Sequence, residues 1–382
     1  MGIVDYFLLI GPSSIPNSEN AEEFKTFDNH SCIDVKTWDR YPKKNHTNIS
    51  IPENIEQFAC PNGSRFVSIP EGLEDITTNR PALEYFSFVM SGDEEQYAAC
   101  IKFFLLVHIS EIEDNHDPES TVVPSDILSS MNWWQLNQQI PYDNFEEERF
   151  EFDYNKYLKK SYRKLHYIEI TLCLLTRGGS FLPQLTQYLS HIYTNDILPS
   201  MESWEKSVFE NSSKINHKIC PIVLNCISKL HALCLSCPAP IPGALDIALS
   251  IPDDVHPISC YVGSNYITHS PRLLLPGESN NKHEFMFSLP SNFSLPSSPH
   301  PVELLFQYMG PRGAIDLLSC ALCEKKILLH SFDISKLPVI GEGLRTLLYP
   351  LRWTHVYVPV VPVELLNLVE APVPFILGVD TR

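Results

Sequence analysis

No stretch of this 382-residue chain approaches the ~20 consecutive apolar residues that cross a bilayer as a helix. No membrane-spanning helix is therefore expected. Basic residues are scarce: 28 Lys and Arg stand against 46 Asp and Glu, a net charge of -18. Affinity for a phosphate backbone comes from clustered Lys and Arg, so nucleic acid is not an expected partner. Catalytic signatures are also missing. The chain has no G-x-x-x-x-G-K-[ST] phosphate loop, no H-E-x-x-H and no G-x-S-x-G. Hydrolysis of nucleoside triphosphates through a phosphate loop is excluded, and neither covalent chemistry nor a cofactor is expected.

The nearest glycine-rich run, Gly341-Glu342-Gly343, sits inside a predicted helix rather than in a strand-to-helix turn. Close helix packing is its expected use. Eleven cysteines do not suggest a disulfide framework in a chain without a secretory signature. Two Cys-x-x-Cys pairs, Cys234 with Cys237 and Cys320 with Cys323, supply four soft ligands. Their long separation and the helical setting of the second pair favour small hydrophobes packed in the core over zinc. The start MGIVDYFLLIG carries Asp5 inside its apolar run and has Tyr6 where a myristoylation signal needs Ser or Thr. The expectation is a soluble, cytoplasmic protein without a lipid anchor of its own.

A hydrophobic fraction of 44% supports a sizeable core, and the length suggests two domains. Apolar and aromatic runs at Tyr6–Ile10, Tyr85–Met90, Ala98–Val107 and Ile168–Leu175 predict strands. Phe181, Leu185, Tyr188, Leu189 and Ile192 recur on one helical face, as do Ile222, Val223, Cys226, Leu230 and Leu233. Residues 109–160 form a polar, acidic insertion whose Trp133 and Trp134 either anchor a partner or dock back onto the lobe, and Ser250–Pro301, rich in Pro, Ser and Asn, reads as irregular chain.

The most informative segment is the last. Ile315, Leu317, Leu318 and Leu322 predict one apolar helix face, and Ile327–Leu329 a buried strand. Leu337, Ile340, Leu344, Leu347 and Leu348 predict a second helix after caps at Ser331, Asp333 or Ser335, ended by Pro350. Val356–Val361, Val363–Val369 and Phe375–Val379 then read as strand, short helix and strand. Such alternation predicts a mostly parallel, doubly wound α/β sheet with helices on both faces. The chain stops just after a strand that would ordinarily lead into another helix, so a truncated polypeptide is expected.

The string LLYPLRWTHVYVPVVPVELLNLVEAPVPFILGV, Leu347–Val379, resembles the central motif of the DENN-domain family. The residues carrying the resemblance are Tyr349, Pro350, Trp353, His355, Tyr357, Pro359, Pro362, Pro372, Pro374 and Gly378. CEKKILLHS at Cys323–Ser331 is similar to the family's Glu-basic-basic-aliphatic strand, and CPAPIPGALDIAL at Cys237–Leu249 to its entry. DYFLLIG, FACPNGSRF, YFSFVMSGDEEQYAACIKFF and YIEITLCLLTRGGSF look like the upstream DENN part. The resemblance implies a longin-like α/β lobe over 1–238, a central DENN domain over 239–382 with an irregular entry to about 300, and a downstream all-helical part that is absent.

It further implies a guanine nucleotide exchange factor for a Rab-type small GTPase in vesicle trafficking, recruited to membranes through partners. The alternative is a non-catalytic DENN scaffold. A GTPase-activating role would need a transition-state arginine, and nothing marks Arg312, Arg345 or Arg352 as one. Since open parallel sheets present ligands at the carboxyl ends of their strands, the expected GTPase-interface residues are Phe332, Asp333, Arg352 and His355. The other motif residues are expected to be structural, with Trp353 and Tyr357 in the core or at an interface and the prolines setting strand ends. His330 and His355 are expected to be hydrogen-bonded structural groups rather than an acid–base pair with Asp333.

Overall fold

The computed structural model describes residues 2–14, 32–47, 49–70, 81–90, 95–111, 163–210, 230, 237–243, 245–252, 259–264, 282–289, 291 and 298–381. In the N-terminal half the elements are β1 (Tyr6–Pro12), β2 (Cys32–Ile33), β3 (Val35–Tyr41), α1 (Ile55–Ala59), β4 (Ser64–Pro70), β5 (Glu84–Met90), β6 (Gln96–Glu111) and β7 (Arg163–Thr176). A 3-10 turn then enters α2 (Leu182–Ile192), and a π-helical turn leads on to α3 (Leu198–Glu210).

β7 organises the first sheet. One edge pairs antiparallel with β6 along almost its whole length; the other is shared by β1, opposite Thr171–Leu175, and β4, opposite Lys164–Ile168. β5 extends the sheet beyond β6, and β3 beyond β1. β1, β6 and β7 read as continuous apolar runs because both of their faces are covered. On one face Ile101, Phe103, Ile170 and Leu172 meet Leu185, Tyr188, Leu189 and Ile192 of α2. On the other, Tyr6, Leu8, Cys100 and Cys173 receive Phe58 and Ala59 of α1 together with Ile334 and Val360 from the C-terminal part. A buried ion pair interrupts that second face, Lys102 Nζ lying 3.1 Å from Glu169 Oε1.

The stretch read as irregular contains strands. β8 (Leu245–Pro252), β9 (Ser259–Ser264) and β10 (Lys282–Phe287) form an antiparallel sheet with β8 in the middle. Phe285 and Phe287 are buried while Met286 between them is exposed, the alternation of a strand with one face inward. Phe285 packs edge-on to Tyr188 at 5.5 Å, and Phe287 to Phe181 at 5.8 Å. The abundance of Pro and Ser around these six residues masked their period of two. Of the helix expected around Ile222–Leu233, only Leu230, helical and buried, falls among the described residues. Trp133, Trp134 and nearly all of the acidic insertion lie outside them.

The last part comprises α4 (Glu303–Leu322), β11 (Ile327–Ser331), α5 (Lys336–Leu347), β12 (Val356–Val358), a 3-10 helix (Val363–Glu370) and β13 (Phe375–Asp380), the predicted alternation. α4 begins earlier than its apolar periodicity indicated and is kinked at Gly310, whose φ of 69° precedes Pro311. Its buried face also differs from the expected one. Leu317 is buried with Ala314 and Ala321, whereas Ile315 and Leu322 are exposed. Small alanines let α4 approach its neighbours closely, and a reading weighted towards large side chains passes over them.

Candidate functional site

β13 is the middle of three parallel strands, with Ile327 of β11 beside Ile376 and Val356 of β12 beside Phe375. Leu317, Leu337, Ile340 and Leu344 of α4 and α5 cover one face, packing on Ile327, Leu329, Tyr357 and Ile376. The 3-10 helix covers the other, Leu365, Leu368 and Val369 meeting Phe375 and Leu377. Helices on both faces make the central strand apolar from Phe375 to Val379, as expected.

Each motif residue has a local cause. A Cβ on Gly378 would lie 2.0 Å from the carbonyl oxygen of Pro359, and the amide of Val361 donates to the Gly378 carbonyl at 2.7 Å. The chain leaving β12 therefore crosses β13 at a spacing that a side chain forbids. β12 stops before Pro359, Pro362 precedes the 3-10 helix, and Pro372 and Pro374 occupy the turn into β13. Tyr349 and Pro350 stand exposed after α5. The Trp353 indole donates to the Val356 carbonyl at 3.1 Å and packs against the core under α4 and α5.

Tyr357 is buried, and its hydroxyl donates to Glu342 Oε1 at 2.7 Å. Arg345 donates to the same oxygen at 3.0 Å and lies 4.6 Å over the Tyr357 ring. Burial raises the Glu342 pKa against the opposing pull of Arg345 and Tyr357. Gly341 makes the arrangement possible, since a Cβ there would stand 2.7 Å from the Tyr357 hydroxyl. The glycines thus serve close packing. Arg345 also pairs with Glu95, just before β6, so α5 is tied to the antiparallel sheet.

The four expected interface residues divide into two groups. Phe332 and Asp333 follow β11 at the carboxyl end of the parallel sheet. Phe332 is 75% exposed, the highest value among the exposed large apolar residues described. Asp333 Oδ1 accepts from the Ser335 amide at 3.0 Å and from its hydroxyl at 2.6 Å, which fixes the entry into α5. Arg352 and His355 precede β12 and stand at the amino end. His355 Nε2 lies 3.3 Å from Glu324 Oε1, just ahead of β11, and its ring meets Trp353 edge-on at 5.2 Å. The rule of carboxyl ends therefore describes Phe332 and Asp333 and fails for Arg352 and His355, because a residue before a parallel strand emerges at its opposite end.

His330, His355 and Asp333 are not brought together. His330 is exposed on β11, His355 faces Glu324, and Asp333 engages Ser335 and Lys336. The carboxyl end is also no open crevice. Ile334 and Val360, one residue beyond Asp333 and two beyond β12, insert into the cluster containing Tyr6, Phe58 and Phe88. Phe332 and Asp333 consequently stand where the parallel sheet meets the antiparallel one.

Residues that the sequence reading passed over lie nearby. Phe306, Tyr308 and Met309 of α4 are exposed, and Lys336, 3.6 Å from Asp333, sits 5.5 Å over the Tyr308 ring. The run Phe306-Gln307-Tyr308-Met309 was the available signal. Cys320 and Cys323, expected in the core, are both exposed free thiols, and Cys234 lies outside the described residues. Among the described residues no helix is long and apolar enough to cross a membrane.

Two family matches agree with this architecture. Residues 265–382 match the DENN (AEX-3) domain, which takes in β10 and everything after it. Residues 35–103 match the uDENN domain, which runs from β3 into β6. The chain thus carries a uDENN domain followed by a DENN domain, the upstream and central parts in their expected order.

Proposed function

We propose that this protein is a guanine nucleotide exchange factor for a Rab-type small GTPase, acting in vesicle trafficking. DENN domains are typically exchange modules for Rab GTPases, and the family match carries the reading. An exchange factor binds the nucleotide-free GTPase more tightly than the nucleotide-bound form, and the coupling is reciprocal: each ligand weakens the other. It needs a rigid surface that holds the switch segments away from nucleotide and magnesium, with no bond made or broken by its own residues.

We assign that surface to the junction of the two sheets around Phe332 and Asp333, extended by Tyr308 and Met309. Exposed aromatic and Met side chains beside an ordered carboxylate suit a protein interface. Arg352 and His355, at the other end, fall outside this footprint. The same reading divides the chain into 1–238 and 239–382, a division supported by one family match on either side of it.

The test is release of fluorescent GDP from a panel of Rab-type GTPases. Acceleration confined to one or two of them, reduced about tenfold or more by Phe332→Ala with Asp333→Ala and unchanged by Arg352→Ala with His355→Ala, is expected. Binding of a GTPase without acceleration of release would replace exchange by a scaffold role.

A further inference from the structure

The loops preceding the three parallel strands meet at the amino end of the sheet. His355 reaches Glu324 across two of them at 3.3 Å, and Lys326 lies 5.7 Å over the Phe375 ring, joining the third. Exposed apolar and basic side chains gather here. Leu351 is 60% exposed, and Tyr349 and Leu322 54% each. Exposed Lys325 and Arg352 stand among them. Of the carboxylates nearby, Glu324 is met by His355 and Glu95 by Arg345, while Glu370 and Asp316, one turn before Cys320 on α4, are exposed. Cys320 and Cys323 bring two exposed free thiols to the same end, where α4 finishes one residue before Cys323.

We propose that this end of the parallel sheet docks on a bilayer containing anionic lipid, and that Cys320 and Cys323 accept fatty acyl chains there. Apolar side chains with a tyrosine and cations among them are the composition of an interfacial surface. The net charge of -18 opposes approach to an anionic membrane, so Lys325, Lys326 and Arg352 select the end that faces it. In S-acylation the cysteine thiolate attacks the carbonyl carbon of a fatty acyl thioester. A new carbon–sulfur bond forms, the old one breaks, and coenzyme A leaves as its thiol after taking up the proton the cysteine lost. No oxidant is needed. One acyl chain binds membranes only marginally, at about 10⁴ M⁻¹, which is why the apolar and cationic groups around the thiols matter.

Two readouts test the two parts, and neither requires a GTPase, so failure here leaves the exchange reading untouched. First, the full unacylated chain is floated with vesicles of phosphatidylcholine alone or mixed with phosphatidylserine. Binding that needs phosphatidylserine and weakens with salt is expected, falling about tenfold or more in Lys325→Glu with Arg352→Glu and also in Tyr349→Glu with Leu351→Glu, but not in Phe332→Ala. No binding, or equal binding by all variants, would overturn the docking surface. These positions are exposed, and matched circular dichroism melts confirm folding. Second, the full chain is expressed in cells fed an alkynyl fatty acid. Hydroxylamine-labile label that disappears in Cys320→Ser with Cys323→Ser is expected; label unchanged in that variant, or absent from the wild type, would overturn the acylation.

Discussion

Arg345 and Glu95, 250 residues apart in the chain, are ion-paired where α5 of the parallel-sheet half meets the start of β6 in the antiparallel one. Arg345 also neutralises the more deeply buried Glu342, so removing it leaves a carboxylate with Tyr357 as its remaining described hydrogen-bond donor. Arg345→Ala is expected to lower unfolding stability by about 2–4 kcal/mol, somewhat below a fully buried pair because the guanidinium is partly exposed. Glu95→Gln, on the exposed side of the network, is expected to cost about 1 kcal/mol or less. Denaturant midpoints of the two variants check the ordering.

Gly378→Ala is expected to destabilise by about 3 kcal/mol or more. The added methyl would meet a backbone carbonyl at 2.0 Å, and a carbonyl has no rotamer to give way. Thermal or urea unfolding measures the loss; a change below about 1 kcal/mol would show that the Pro359–Val361 crossing yields readily.

His300, whose Nε2 lies 2.9 Å from the Ser87 hydroxyl, is a pH probe of the entry to α4. Burial lowers its pKa to about 4, below the ordinary value of about 6.5. The folded state binds fewer protons than the unfolded one in that interval, so stability falls as pH drops from about 6.5 towards 4. The loss attributable to His300 reaches about 3 kcal/mol at the acid end. His300→Gln is expected to flatten the stability profile over that window. Imidazole NMR should find this ring neutral at pH 5; a titration near 6.5 would show that it is solvated.

The face of α4 is tested by a pair of substitutions. Leu317→Ala should cost about 2–4 kcal/mol, whereas Ile315→Ser, on the exposed side, should stay within about 0.5 kcal/mol. Similar losses at both positions would mean that Ile315 is covered.

Much of the central fold was legible because helical and strand periods alternate cleanly from Ala314 onward, and prolines bound the elements. The strands β1, β5, β6 and β7 were likewise visible as apolar runs. β3 and β4 went unread because their faces mix polar and apolar residues, and β8 to β10 because Pro and Ser around them obscured short alternations. Phe332 and Asp333 were legible as a strand end. That Arg352 and His355 occupy the opposite end follows only from strand direction.

The sequence by itself determined the order of the elements from Ala314 onward, the parallel character of the last sheet and the resemblance to DENN domains, since each rests on local periodicity and a motif of neighbouring residues. Tertiary structure alone decided which loops meet, which face of α4 is buried, and that Arg345 is spent on Glu342 and Glu95. Those outcomes depend on contacts between residues far apart in the chain, where small alanines and glycines set how closely elements approach and burial decides what each charge must pair with.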